Sequence, residues 1–325
     1  MPRALALAAA VTLVLLPTLA RGAAPGADEV GGIVIHRLPE ARSDEPAWTE
    51  EEMDKALPLP LPQREPQRGS APAPGQPSER IGEGVRGYSY PAPFSRFRTF
   101  PNRKYQKAPH KMVGKLFFKR GGANWVCSAA SIGNYAIWTA GHCLVDNGVW
   151  STDVVFVPQY RQKSRPKGNW NAAYLISTGH WVNFSDLGDD MGVVILQPLN
   201  GKTIGQVVGG LGFAWNQPYE RHWFLLGYPA GAPFTGEKQI VCAASFAYVD
   251  TAFSPAPMGV GCDQTGGSSG GPWILNYGNG NFLNGNNSYG YGSLEMLSPY
   301  FGNGAKALYD CAINSTATTV SPLCG

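Results

Sequence analysis

The chain has 325 residues, 43% apolar and 15% charged, enough for a real core and incompatible with a wholly disordered chain. Its 26 basic and 23 acidic side chains leave a formal charge of +3, too weak a footprint for nucleic acid or an anionic membrane surface. With 41 Gly and 27 Pro, turns and short strands are favoured over a helical bundle.

Residues 1–22 read as a secretory signal peptide. Arg3 gives a positive start, Ala4 to Ala20 is almost wholly apolar, and Ala20-Arg21-Gly22 offers small residues for cleavage. No later stretch is long and apolar enough to span a bilayer, so the expected location is secreted, extracellular or periplasmic. Six cysteines fit an oxidising compartment, and all of them lie after residue 126. Residues 23–109 are different in kind. Pro58, Pro60, Pro62, Pro66, Pro72, Pro74 and Pro77 alternate there with Gln, Arg, Glu and Ser. Such a stretch buries too little apolar surface to offset its ordering entropy, so a largely disordered pro-segment or linker is expected. A basic cluster, Arg96, Arg98, Arg103, Lys104 and Lys107, ends it as a plausible processing region.

From residue 110 to 325 short apolar runs alternate with turn residues. Val113 to Phe118, Tyr135 to Trp138, Val154 to Val157, Val193 to Leu196, Trp223 to Leu226, Gln239 to Val249 and Trp273 to Leu275 read as strands. That spacing predicts an all-β antiparallel sandwich or barrel pair. Helical periodicity appears only around Ala305 to Cys311.

Three motifs follow in chain order: Thr139-Ala-Gly-His-Cys143, Asp189-Asp190-Met-Gly-Val-Val-Ile-Leu196 and Gly266-Gly-Ser-Ser-Gly-Gly-Pro272. A serine hydroxyl is a poor nucleophile at neutral pH and needs a base beside it. Imidazole suits that role, and a carboxylate can fix its tautomer. Glycines around a serine let backbone N–H groups turn towards the oxyanion that an acyl transfer creates.

Thr139 to Cys143 together with Gly267 to Pro272 resembles the chymotrypsin-like serine peptidases. The stretches Val113 to Phe118, Val126-Cys127-Ser128 and Cys262 to Trp273 are similar to the secreted V8-like, or glutamyl endopeptidase, branch. The resemblance spans roughly residues 111 to 312. It implies two antiparallel six-stranded β-barrels with a short C-terminal helix, the barrels meeting near residues 200–212. It implies His142 as base and Ser269, not Ser268, as nucleophile. Asp190 best fits the orienting carboxylate; Asp189 points to the other face and Asp186 lies outside the pattern. The amides of Gly267 and Ser269 would form the oxyanion hole. Asp263 falls at the base of the P1 pocket, and Asn287, Ser288 and Gly290 match the segment that pairs with substrate. A carboxylate there selects Arg or Lys, whereas Glu-specific members carry a histidine where Asn287 stands. The familiar zymogen ion pair is not expected, because Ser268 replaces its aspartate. The resemblance further implies a Cys127–Cys143 bridge, leaving Cys242–Cys262 and Cys311–Cys324 as the other pairs. A monomer acting on polypeptide, with no cofactor and no metal, is expected. An inactive secreted binding module and an esterase with the same triad are the alternatives.

Overall fold

The computed structural model describes residues 32–39, 48–73, 75–76, 81–82, 84 and 91–325. The expected signal peptide lies outside them. The chain first adds four short strands, β1 (Ile33–Arg37), β2 (Leu57–Pro58), β3 (Arg68–Gly69) and β4 (Phe94–Arg98), with helix α1 (Glu50–Lys55) between β1 and β2. It then enters the first barrel: β5 (Val113–Arg120), β6 (Ala123–Gly133), β7 (Ala136–Thr139), helix α2 (Gly141–Leu144), the small hairpin β8 (Val145–Asp146) and β9 (Val149–Trp150), β10 (Thr152–Pro158), β11 (Trp170–Thr178), helix α3 (Gly179–Phe184) and β12 (Gly192–Leu196).

The first ring is closed. Strands run in the order β11, β10, β5, β6, β7, β12, and β12 pairs back onto β11 through Ile176↔Val193 and its neighbours. Closure leaves no edge within the ring, and apolar clusters pack on both its inner and outer faces, so most of its strand residues are buried. This is why Leu116-Phe117-Phe118 of β5 and Val193 to Leu196 of β12 read as continuous apolar runs instead of alternating ones.

The second half follows α4 (Ile204–Val208). Its strands are β13 (Gly212–Phe213), β14 (His222–Gly227), β15 (Ile240–Asp250), β16 (Met258–Gly261), β17 (Pro272–Leu275), β18 (Phe282–Asn286), β19 (Tyr289–Tyr291) and β20 (Glu295–Ser298). The order β18, β17, β14, β15, β16, β20 wraps a second core around Trp223, Trp273, Phe246 and Met296. Asn286 N donates to Ser298 Oγ at 2.9 Å, so the ends of that sequence of strands meet through a side chain. Helix α5 (Asn303–Ile313) lays Ala305, Leu308, Cys311 and Ala312 on the core between the halves. Disulfides join Cys127–Cys143, Cys242–Cys262 and Cys311–Cys324.

The segment 23–109, expected to be largely without structure, differs in its described residues. β1 pairs antiparallel with β11, β4 with β15 and β3 with β15, while β2 pairs parallel with β6. The composition argument counts only what the segment buries by itself. Here it borrows sheet edges and core surface supplied by the later residues. Trp48 and Met53, for example, enter the first core at 5% and 3% exposure.

The segment is joined to the first barrel at His110, which is fully buried and makes contacts at Nδ1 with Gln239 Oε1 at 2.5 Å and Thr99 Oγ1 at 3.0 Å. Burial lowers its pKa to about 4. The unfolded chain therefore binds an extra proton between that value and an ordinary histidine pKa. This contribution is fully present above about pH 6.5 and fades as pH falls towards 4, by up to about 3 kcal/mol. Urea unfolding at pH 7.5 and 4.5 should show the loss, and His110→Gln should flatten that part of it.

Candidate active site

His142 sits in the single turn α2 directly after β7. The turn is braced on three sides. Cys143 is bonded to Cys127 on β6, Arg120 Nη1 donates to His142 O at 2.9 Å, and the Trp181 ring meets the imidazole edge-on at 6.1 Å. Asp190 emerges from the turn Leu187–Asp189 just before β12, wholly buried. Its Oδ2 lies 2.7 Å from His142 Nδ1, and its Oδ1 accepts from His142 N at 2.8 Å. Ser288 Oγ also donates to Asp190 Oδ2. A carboxylate that only accepts places the ring proton on Nδ1 and leaves Nε2 as the basic atom.

The neighbouring acids are used otherwise. Asp189 Oδ2 meets His180 Nδ1 at 2.8 Å, and burial raises the Asp189 carboxyl pKa. Asp186 accepts from Gly188 N within its own turn.

The loop Gly266–Pro272 joins β16 to β17, with Gly267 at φ +89° and Gly270 at φ +76°. Those angles favour glycine. Ser128 on β6 clamps this loop, donating Oγ to Gly267 O at 2.9 Å and N to Ser269 O at 2.7 Å. A Cβ on Gly270 would stand 2.5 Å from Ser128 O and 2.7 Å from Ala140 N, so the loop lies hard against the turn that carries His142. Ser268 faces elsewhere: its Cβ is 3.1 Å from where a Cβ on Gly227 of β14 would be. Ser269 Oγ and His142 Nε2 are both buried, and among the described residues neither has a hydrogen-bond partner. The structure thus joins His142 to Asp190 and seats the Ser269 loop beside them, with the serine–histidine bond unmade.

The expected pocket residues divide. Asp263 is not empty-handed: its Oδ2 accepts from Arg96 Nη1 at 2.8 Å, a residue of β4. Asn287 is spent on scaffolding. It accepts from Trp273 Nε1 at 2.8 Å and donates Nδ2 to Gln264 Oε1 at 3.0 Å and Ser268 O at 3.1 Å. Sequence reasoning missed Ser128, whose partners are far away in the chain. It also missed Asn286, which accepts from Trp138 Nε1 at 3.0 Å and donates to Asp190 O at 3.2 Å, tying the two halves together. Of the groups with metal-ligand spacing, two contain disulfide-bonded cysteines, and His180, Asp186 and Asp189 are already engaged with protein partners.

No family model and no curated protein matches the chain. Among solved structures it is similar to the protease Anisep from Arthrobacter nicotinovorans, at 35% identity and TM-score 0.61, covering 64% of this chain and 98% of that one. It is also similar to the thermostable serine protease AL20 from an extremophilic microorganism, at 36% identity and TM-score 0.60, over 63% of this chain and 98% of that one. A Glu endopeptidase shares the fold at 18% identity and TM-score 0.56, over 68% and 97% of the two chains. The chain belongs to the chymotrypsin-like serine peptidases. Its likeness to the Glu endopeptidase is one of fold.

Proposed function

We propose that the chain is a secreted serine endopeptidase working through Ser269, His142 and Asp190. The observation that carries this reading is the buried His142–Asp190 contact at 2.7 Å beside a clamped glycine loop bearing Ser269. The reading requires Ser269 Oγ to come within hydrogen-bond reach of His142 Nε2, the one contact of the triad not made in this structure. Oγ then attacks the peptide carbonyl as its proton passes to Nε2. The amides of Gly267 and Ser269 receive the oxyanion. Collapse breaks the C–N bond, His142 protonates the leaving amine, and water repeats the sequence on the acyl-enzyme. Asp190 holds the ring and stabilises the imidazolium without itself taking the proton.

For specificity, we read Asp263 as selecting a basic P1 side chain. Its Oδ2 already accepts from Arg96 Nη1 at 2.8 Å, so a basic P1 side chain has to displace that guanidinium. Asn287, with both amide atoms engaged inside the fold, presents no group for a P1 glutamate. Three disulfides favour an oxidising, extracellular setting. With the segment 23–109 cut away, a fluorophosphonate probe should label the enzyme once, at Ser269. Labelling at Ser268, or none at all in that form, rules the reading out.

A further inference from the structure

We propose that residues 57–69 are a built-in inhibitor, a strap of the chain's own backbone lying where a substrate polypeptide would lie. The inference rests on the peptidase reading above. The strap starts on the first barrel, where Leu57 and Pro58 pair with Trp125 and Val126 and Leu59 N donates to Val126 O at 3.1 Å. Its next carbonyl reaches the nucleophile loop: Gly267 N donates to Leu59 O at 3.0 Å. That amide is the one assigned above to the oxyanion. The strap then crosses to the second half. Gly290 N donates to Pro62 O at 3.0 Å, and Arg64 N donates to Gly290 O at 3.0 Å. It is anchored beyond by Gln67 N to Asp250 Oδ1 at 2.9 Å and by the Arg68–Glu295 ion pair at 2.8 Å.

Its chemistry suits a bound segment that is not cut. Pro58, Pro60 and Pro62 hold the backbone extended before it binds, which reduces the ordering cost. The carbonyl offered to Gly267 belongs to the Leu59–Pro60 bond, whose nitrogen bears a ring carbon and no hydrogen. That extra substituent crowds the leaving side of the bond, where an ordinary peptide carries only a hydrogen. The pairing of Gln63 with Gly290 is parallel, so the two bonds of Gly290 go to different residues; an antiparallel strand would return both from one. Leu59 and Leu61 are 8% and 9% exposed, and together with the backbone bonds they hold the strap against Gly266 and Gly267, the latter two residues before a serine that solvent does not reach.

The test uses the full chain and two opening variants. Arg64→Pro removes one strand bond at an exposed position, and Leu59→Asp/Leu61→Asp removes both apolar anchors. Fluorophosphonate labelling at Ser269 is read beside hydrogen exchange at Gly267 and Gly290. We expect slow labelling and protected amides in the parent, at least tenfold faster labelling in Arg64→Pro, and reversal by a peptide of residues 57–69 added in trans. If the parent labels as fast as Arg64→Pro, with both amides exchanging freely, the strap is overturned. If both amides are protected in the parent and freed in the variants, yet Ser269 never labels, the peptidase reading fails and the inhibitory role goes with it. The leucine variant counts only if it unfolds cooperatively; Arg64→Pro keeps the test decisive otherwise.

Discussion

Ser269→Ala, placed in the Arg64→Pro background so that the cleft is open, is expected to lower kcat for peptide hydrolysis by about 10⁶-fold, the scale seen when a nucleophile of this kind is lost. His142→Ala should cost about as much, and the double variant no more, because hydroxyl and imidazole act as one unit. Stability should move the other way. Ser269 Oγ is buried with no partner among the described residues, so removing it relieves an unsatisfied polar atom. Made in the closed chain without Arg64→Pro, Ser269→Ala should unfold at an equal or higher urea concentration than its parent, a gain of up to about 3 kcal/mol. A variant that retains more than a hundredth of the parental kcat, or that unfolds appreciably earlier, would remove Ser269 from the nucleophile's place.

Much of this site is written locally. The glycines flanking Ser269 are needed because Gly267 and Gly270 take positive φ and Gly270 packs against backbone, and such demands leave marks in sequence. His142 is legible for a similar reason: its turn is set by the residues beside it and by the adjoining Cys143. The alternation of short apolar runs and turns predicts barrels because strand burial is likewise a short-range pattern. Other parts depend on partners that sequence distance hides. Asp263 looks like a free pocket carboxylate until Arg96 is seen beside it. Asn287 looks like a pocket wall until Gln264, Ser268 and Trp273 are found to use it up. The proline-rich segment depends most on such distant partners. Nothing in Leu57 to Arg64 says that Gly267 and Gly290, some two hundred residues on, supply the groups that hold it. Intrinsic preference describes what a segment does alone, and this one is ordered by a surface it does not encode.

Asp190→Asn, again in the opened chain, should lower kcat by about 10⁴-fold while leaving KM nearly unchanged, since Asp190 does not touch substrate. The geometry decides this. Three donors converge on the carboxylate: His142 N on Oδ1, and His142 Nδ1 and Ser288 Oγ on Oδ2. A carboxylate accepts all three, but an amide has one acceptor oxygen and one donor group. If the amide nitrogen faces His142 N, two N–H groups oppose each other in a buried site. The backbone cannot retreat, because Arg120 and the Cys127–Cys143 bridge hold that turn. The amide oxygen therefore stays on His142 N, and its nitrogen donates to Nδ1. The ring proton must then move to Nε2, and the atom that should receive the Ser269 proton already carries one. Nitrogen NMR of the imidazole provides a readout independent of turnover: the parent should show the proton on Nδ1 and the variant on Nε2. A proton that remains on Nδ1, or a kcat within tenfold of the parent, would mean that Asp190 supports the fold around His142 without setting its tautomer.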